Sequence, residues 1–284
     1  MALADHIAAC NRYDPAEYWT LWIDGQAIGR VKPAFARRLA EFADTFEMAQ
    51  DGVRLRPHLA SAAARTAALG EVAEFLADAG DVPGLRGEMY PVARAWGLPP
   101  LATLDRGVVP CFGTIAWGVH VNGIVAGEDE PVLWIGERAT DRNVAPGKFD
   151  NMIAGGQPAG LSLADNVVKE AEEEAGVPEA LARTARPAGI VSYVMAVPEG
   201  LRRDVLFVWD LVVPPDFTPL NSDGEVARFV RMPAQEALAV AASSDRFKFN
   251  VNLVIIDFAL RHGLVDPETP EYATLVRDLR RPLD

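Results

Sequence analysis

The sequence predicts an α/β (α+β) chain: a layered domain with a mixed sheet, preceded by a smaller, mainly helical N-terminal domain. Three observations lead there. Up to about Pro110, apolar residues recur at helical spacing between Pro- and Gly-punctuated connections. From Cys111 onward, short alternating runs rich in Val, Ile and aromatic residues take over. Among those runs lies one amphipathic stretch, 163–175, with Ser162 before it and Gly176 after it. The expected division is 1–110 and 111–284.

In the N-terminal part, "WTLWIDGQAIGRV" reads as two short strands around Asp24–Gly25. "PAFARRLAEFADTF" sets Phe35, Leu39, Phe42 and Phe46 at helical spacing. "RTAALGEVAEFLADAG" does the same with Leu69, Val72, Phe75 and Leu76, and Gly80 closes it. "GDVPGLRGEMYPV" and "WGLPPL" read as connections. Further on, "TIAWGVHVNG" puts Ile115, Trp117, Val119 and Val121 on one strand face and His120 on the other, with a turn expected at Asn122–Gly123. "VLWIGERA", "GIVSYVMAV", "DVLFVWDLVV" and "EVARFVRM" read as strands, with "PEGLRR" as a loop between the second and third. "AQEALAVAA", "NVNLVIIDFALRHG" and "PEYATLVRDLRR" read as helices.

Composition excludes several classes. Of the 284 residues, 50% are hydrophobic and 24% charged, as in an ordinary globular protein, and the formal net charge is −13. With no Lys/Arg run, nucleic acid is not an expected partner. No apolar run is long enough to span a bilayer, and no leader is read at the N-terminus, so a cytoplasmic protein without a membrane partner is expected. Cys10 and Cys111 have neither disulfide nor zinc spacing, and Cys111 reads as a small core residue.

The stretch that carries chemistry is "GGQPAGLSLADNVVKEAEEEAGV", Gly155 to Val177. Ser162 and Asp165 resemble a capping box, and Gly176 ends the helix. Leu163, Val167 and Ala171 share a face suited to packing on the sheet. Glu170, Glu173 and Glu174 stand at i, i+3 and i+4 and converge on another face, whereas Glu172 points to solvent. Converging carboxylates suit a hard divalent cation such as Mg²⁺ or Mn²⁺, and glycines at 155–156 let backbone carbonyls approach it. An acidic run alone would favour a solvated helix face, since such runs are common.

The spacing resembles the Nudix (MutT-type) box, Gly-x5-Glu-x7-Arg-Glu-U-x-Glu-Glu-x-Gly-U, where U is apolar. Gly155, Glu170, Glu173, Glu174, Gly176 and Val177 fit it, with Ala171 at the first U. Leu161 stands where the first Glu is expected and Lys169 where the Arg is expected. In the family those two commonly brace the loop, so how the loop is held is an open question. "WIDGQAIGRV", "FGTIAWGVHVNG", "LWIGERA", "PGKFDNMIAGGQPAG" and "FKFNVNLVIIDFALRHG" further resemble the thiamine-pyrophosphokinase-related Nudix branch, which carries an accessory region ahead of the Nudix domain.

The resemblance implies an α/β/α sandwich and a metal-dependent hydrolase of a small-molecule diphosphate. The implied substrate is thiamine diphosphate or an oxidised analogue, cleaved to the monophosphate. No pyrophosphokinase domain is expected after Leu279. A nucleoside diphosphate derivative such as ADP-ribose is the alternative substrate. A non-catalytic metabolite-binding regulator is the alternative class, which the intact glutamates argue against. Nudix enzymes often dimerise, which adds a homodimer to the expected assemblies. Gly155, Glu170, Glu173 and Glu174 are the implied metal site. One of these glutamates, or Glu225 outside the box, is the candidate proton acceptor. Arg138, Arg142, Lys148 and Lys248 are the candidate phosphate contacts, each weighed against an ordinary surface charge. Arg202 and Arg203 are read as loop residues, and Trp117 as a core residue or a stacking surface.

Overall fold

The computed structural model describes residues 2–141, 144–222 and 224–283. The chain opens with α1 (Leu3–Cys10). Then β1 (Trp19–Ile23) and β2 (Gln26–Val31) form the expected hairpin, with Asp24 and Gly25 at φ 53° and 70°. After α2 (Pro33–Ala40) come β3 (Phe46–Ala49) and β4 (Gly52–Leu55). These strands make a four-stranded sheet in the order β2-β1-β4-β3, in which β4 runs parallel to β1. α3 (Ala62–Asp78), capped by the Ser61 hydroxyl, buries Leu69, Val72 and Leu76. β5 (Met89–Val92) and β6 (Ala102–Asp105) form a separate antiparallel pair.

The N-terminal portion is therefore less helical than expected, with a sheet at its centre. Phe46 shows why the helical spacing misled. α2 stops at Ala40, and the Arg56 N–H donates to the Thr45 carbonyl across a second hairpin. The core receives Phe46, fully buried, from a strand instead.

The second half runs α4 (Val109–Phe112), β7 (Ile115–Val125), β8 (Val132–Arg138), β9 (Phe149–Asn151), β10 (Ile153–Gly156), α5 (Leu163–Ala175) and α6 (Glu179–Ala182). It continues with β11 (Arg186–Val197), β12 (Gly200–Val213), β13 (Val226–Pro233), α7 (Ala234–Ser243), α8 (Val251–Arg261) and α9 (Tyr272–Asp278). A seven-stranded mixed sheet has the path β11-β12-β7-β8-β13, with β10 joined to β7 and β9 to β8. β12 and β7 are parallel and the remaining pairs antiparallel. Side chains alternate along β12. Leu206 and Val208 enter the core under α7 and α8, while Trp209, Leu211 and Val213 enter the core under α5. This is the α/β/α layering the sequence implied.

Two local expectations were overturned. Asn122–Gly123 is not a turn, because β7 runs on to Val125. The Asn122 side chain is bonded inside the sheet, and at Gly123 a Cβ would lie 2.2 Å from Met152 Sδ. Arg202 and Arg203 are strand residues, since the β11–β12 turn spans only Pro198 and Glu199. The Arg203 guanidinium donates to the carbonyls of Ile28, Gly113 and Leu283, tying the N-terminal hairpin, the start of β7 and the C-terminal tail together.

α1 also crosses between the two halves. Leu3, Ile7 and Cys10 enter the core formed by α7, α8 and α9, and His6 Nε2 lies 2.7 Å from the Ala241 carbonyl. Among the described residues, no helix is long and apolar enough to cross a membrane. Ile7 is 2% exposed, so Ile7→Ala is expected to cost about 2–4 kcal/mol of stability. Urea unfolding followed by far-ultraviolet circular dichroism measures this, and an unchanged midpoint would show that α1 is not part of the cooperative core.

Candidate active site

α5 is set by its own residues. The Ser162 hydroxyl accepts from the Asp165 N–H at 3.1 Å and donates to the Asp165 carboxylate at 2.6 Å. Gly176, at φ 60°, ends the helix. Val167, Ala171 and Ala175 pack under the sheet beside Val119, Val121 and Ile153. That orientation lays Glu170 and Glu174, one turn apart, along β10.

The three box glutamates do not share one environment. Glu170 and Glu174 are each only 8% exposed. Glu174 Oε2 accepts from the Ala154 N–H at 2.7 Å. The Glu170 carboxyl crosses the backbone at Gly155, where a Cβ would lie 2.1 Å from its Cδ. Glu173 is exposed, turned towards Lys169, and Glu172 is exposed as expected. Burial raises the pKa of Glu170, against the pull of Lys169. Burial holds Glu174 well above the usual carboxylate range, and the charges of Glu170, Asp150 and Glu225 add to that.

The loop lacks the usual Glu–Arg brace and is held by amides instead. Gln157, fully buried, takes the Trp117 carbonyl with its backbone N–H at 2.9 Å and the Leu161 carbonyl with its side chain at 2.8 Å. Asn166 Nδ2 donates to the Gly156 carbonyl at 2.8 Å. The Ala159 N–H donates to the Met89 carbonyl of β5 at 2.8 Å. Lys169 Nζ lies 3.1 Å from Glu170 Oε1 and 2.7 Å from Glu173 Oε2, so the substituted residue bridges two glutamates rather than bracing the loop.

The N-terminal portion contributes side chains that sequence reading did not find. At Gly156 a Cβ would lie 1.4 Å from the Tyr90 hydroxyl. Arg106 pairs with Glu88, and its guanidinium lies 5.9 Å from the Tyr90 ring centroid. Glu88 raises the Glu170 pKa and Glu170 raises that of Arg106, so the three charges lie within one electrostatic neighbourhood. No local motif in "RGEMYPV" connects it to α5; the pairing is purely tertiary.

The candidate phosphate contacts are dispersed. Arg138 and Lys248 converge on the buried Asp150 at 2.9 and 3.1 Å. Burial pushes the Asp150 pKa up, but Lys248, His120 and Arg138 outweigh it and the pKa ends below the usual value. Lys148 instead reaches Asp245 at the surface, at 2.8 Å. Arg142 lies outside the described residues. Glu225 is half-buried, and its backbone carbonyl accepts from the Ala139 N–H. Arg138 and Lys248 thus share Asp150, whose charge, like those of Glu170 and Glu225, reaches Glu174, while Lys148 lies apart.

Two buried carboxyl groups of raised pKa beside a glycine cradle form a donor set that fits a hard divalent cation. Among the described residues, no three such groups are gathered tightly enough to ligate one. Glu173, the remaining box glutamate, is paired with Lys169 instead.

Behind this face runs a buried polar chain. His120 Nδ1 lies 2.8 Å from Asn151 Oδ1, Asn151 Nδ2 donates to Asn122 Oδ1 at 3.0 Å, and Asn122 Nδ2 donates to Asp210 at 2.9 Å. As expected, His120 and Trp117 occupy opposite faces of β7. Trp117 packs with Ile115 and Ala93.

Residues 2–116 match the family described as "Domain of unknown function (DUF4743)". The chain is 39% identical over 280 residues to Nudix hydrolase 24, chloroplastic, of Arabidopsis thaliana, covering 97% of this chain and 77% of that protein. It is also 39% identical over 287 residues to Nudix hydrolase 20, chloroplastic, of the same plant, with the same coverage. Among solved structures, it is similar to the MutT protein from Methanosarcina mazei Go1 at 17% identity and a TM-score of 0.38, covering 50% of this chain and 92% of that one.

Burial pushes the His120 pKa down to about 4, so the native state carries it neutral while the unfolded chain takes up a proton below its ordinary value of 6.5. Stability is therefore lost as pH falls from about 6.5 towards 4, by on the order of 3 kcal/mol at most from this group. Urea midpoints between pH 7 and 4 should fall more steeply for the wild type than for His120→Gln. Parallel curves would remove His120 as a source of the slope.

Proposed function

Because the chain belongs to the Nudix hydrolase family, we propose that it hydrolyses the diphosphate linkage of thiamine diphosphate or an oxidised analogue, releasing the monophosphate and phosphate, with Mg²⁺ or Mn²⁺ as its cation. The supporting observation is the pair of buried glutamates laid against Gly155 in a box-spaced helix. The choice of substrate rests on the motifs that resemble the thiamine-related branch, which run through both halves of the chain.

Nudix hydrolases use divalent metal ions. Here Glu170, Glu173 and Glu174, with the Gly155 carbonyl, would hold the ion. When bound, it offsets the diphosphate charge and acidifies water at the site. The remaining work falls to the chain. Glu174 is oriented by the Ala154 N–H, which occupies one of its oxygens. To Glu225, outside the helix, we assign the role of taking the proton of the attacking water; its support is that its charge adds to the raised pKa of Glu174. Arg138 and Lys248 keep positive charge beside this group although the whole chain is acidic. Their shared partner Asp150 fixes both side chains, so they orient a phosphate rather than merely attract it.

A panel of thiamine diphosphate, its oxidised analogue, ADP-ribose and a nucleoside triphosphate, assayed with Mg²⁺ for phosphate and monophosphate products, tests the substrate. Turnover of the thiamine compounds is expected to dominate, and preference for ADP-ribose would overturn the thiamine assignment. Glu174→Gln should lower kcat by about 100-fold or more with an unchanged circular dichroism spectrum. Full turnover by that variant would remove Glu174 from the reaction.

A further inference from the structure

A second feature lies beside the glutamates. The β1–β2 hairpin, the 93–97 segment and the open face of β7 and β12 enclose a cleft of about 680 Å³, within the usual range for a small-molecule site. Trp96 stands at its mouth, 36% exposed. Its ring centroid is 5.7 Å from that of Trp117 and 5.5 Å from that of Phe207, tilted to both by about 60°. Arg94 and Ile190, both exposed, also line it. Among the described residues, Arg94 has no ion-pair or hydrogen-bond partner. Three aromatic rings with one edge open to solvent, beside an unneutralised guanidinium, suit a flat ring carrying an anionic group.

The cleft is linked to the candidate active site through two stretches of backbone. The Trp117 carbonyl accepts from Gln157, two residues beyond Gly155, and Gly118 pairs with Gly156 in the ladder. On the other wall, one segment passes from Tyr90, over Gly156, to Trp96 six residues later. At about 3.3 Å per residue, that segment spans roughly 20 Å at most, the scale of a ring-bearing diphosphate with its groups at either end.

We propose that this cleft seats the heteroaromatic ring of the diphosphate substrate, with the N-terminal portion supplying Trp96 as a specificity-determining stacking residue. The proposal rests on the diphosphohydrolase reading above, and it assigns the N-terminal portion a direct part in substrate choice. The two walls differ in kind. Trp117 and Phe207 are set by the sheet, whereas Trp96 sits in a segment without regular structure between β5 and β6. Substrate preference can therefore change through Trp96 without disturbing the glutamates.

Calorimetric titration with thiamine monophosphate, AMP and inorganic phosphate separates the ring from the anion. Trp96→Ala should weaken whichever ring-bearing monophosphate the wild type binds by about tenfold. It should leave the inorganic phosphate affinity as in the wild type, and Trp96→Phe should recover most of the loss. In turnover, the loss should fall on KM rather than kcat. Equal affinity of Trp96→Ala and wild type for the ring compound would overturn the assignment, as would an equal loss for inorganic phosphate or wild-type protein that binds neither monophosphate. If the wild type binds a ring-bearing monophosphate through Trp96 but hydrolyses no diphosphate, the cleft stands and the hydrolase substrate assignment falls.

Discussion

The carboxyl of Glu170 occupies the space a side chain at position 155 would need, and most of the candidate site depends on that contact. It brings α5 so close to β10 that Glu170 and Glu174 leave water, and burial then raises both their pKa values. Two carboxylates held this way are costly to ionise without a counter-charge. The helix gains its packing from Val167, Ala171 and Ala175 on the adjoining face, so the same rigid element supplies the stabilising burial and the strained charges. Gly156 repeats the constraint one residue later, with the Tyr90 hydroxyl standing where its Cβ would be. The turn between β10 and α5 is thus clamped from the helix on one side and from the N-terminal portion on the other.

That clamp explains how the loop tolerates Leu161. An ion pair between loop and helix can be replaced by amides if each amide finds carbonyls that would otherwise be orphaned. Gln157 and Asn166 do this from opposite ends of the loop, and Met89 on β5 supplies a third anchor. Buried, such bonds matter chiefly because breaking one strands a carbonyl away from water, which costs about 1–3 kcal/mol. The brace now depends on β5, and so on the attachment of the N-terminal portion. Arg203, buried and bonded to three separate carbonyls, and α1, inserted under α7 and α8, provide that attachment.

What was legible in the sequence follows the range of each interaction. Ser162, Asp165, Gly176 and the glutamate spacing are local, and α5 has the bounds they predicted. The Asp24–Gly25 hairpin is local too. Asn122–Gly123 carries an equally strong local signal, yet the strand continues there because Asn151 and Asp210 bond Asn122 and Met152 fills the space above Gly123. Phe46 keeps helical spacing but belongs to a strand across a turn. Asp150, Glu88, Tyr90 and Arg106 acquire meaning only from partners distant in sequence, so neither periodicity nor motif could mark them. The expected convergence of three glutamates was right in sequence and incomplete in space, because Lys169 draws the middle one outwards.

Lys169 is the most consequential departure from the box. Its ammonium sits between Glu170 and Glu173, supplying positive charge where the proposed reaction needs a divalent ion. An arginine at this position could form a planar two-point contact with one carboxylate and resist release. A lysine makes single contacts through a flexible stem, and its bond to the exposed Glu173 is an i,i+4 surface pair worth only about 0.3–0.5 kcal/mol. With twice the charge, a divalent cation would compete with the ammonium for Glu173 at little cost. Glu170 is different: it is buried, and it has Glu88 and Arg106 in its electrostatic neighbourhood. Cation entry would therefore rearrange the exposed end of the site while the buried end, held by Gly155 and Tyr90, stays in place. The site is then preorganised where the backbone constrains it and adjustable where only a surface pair does.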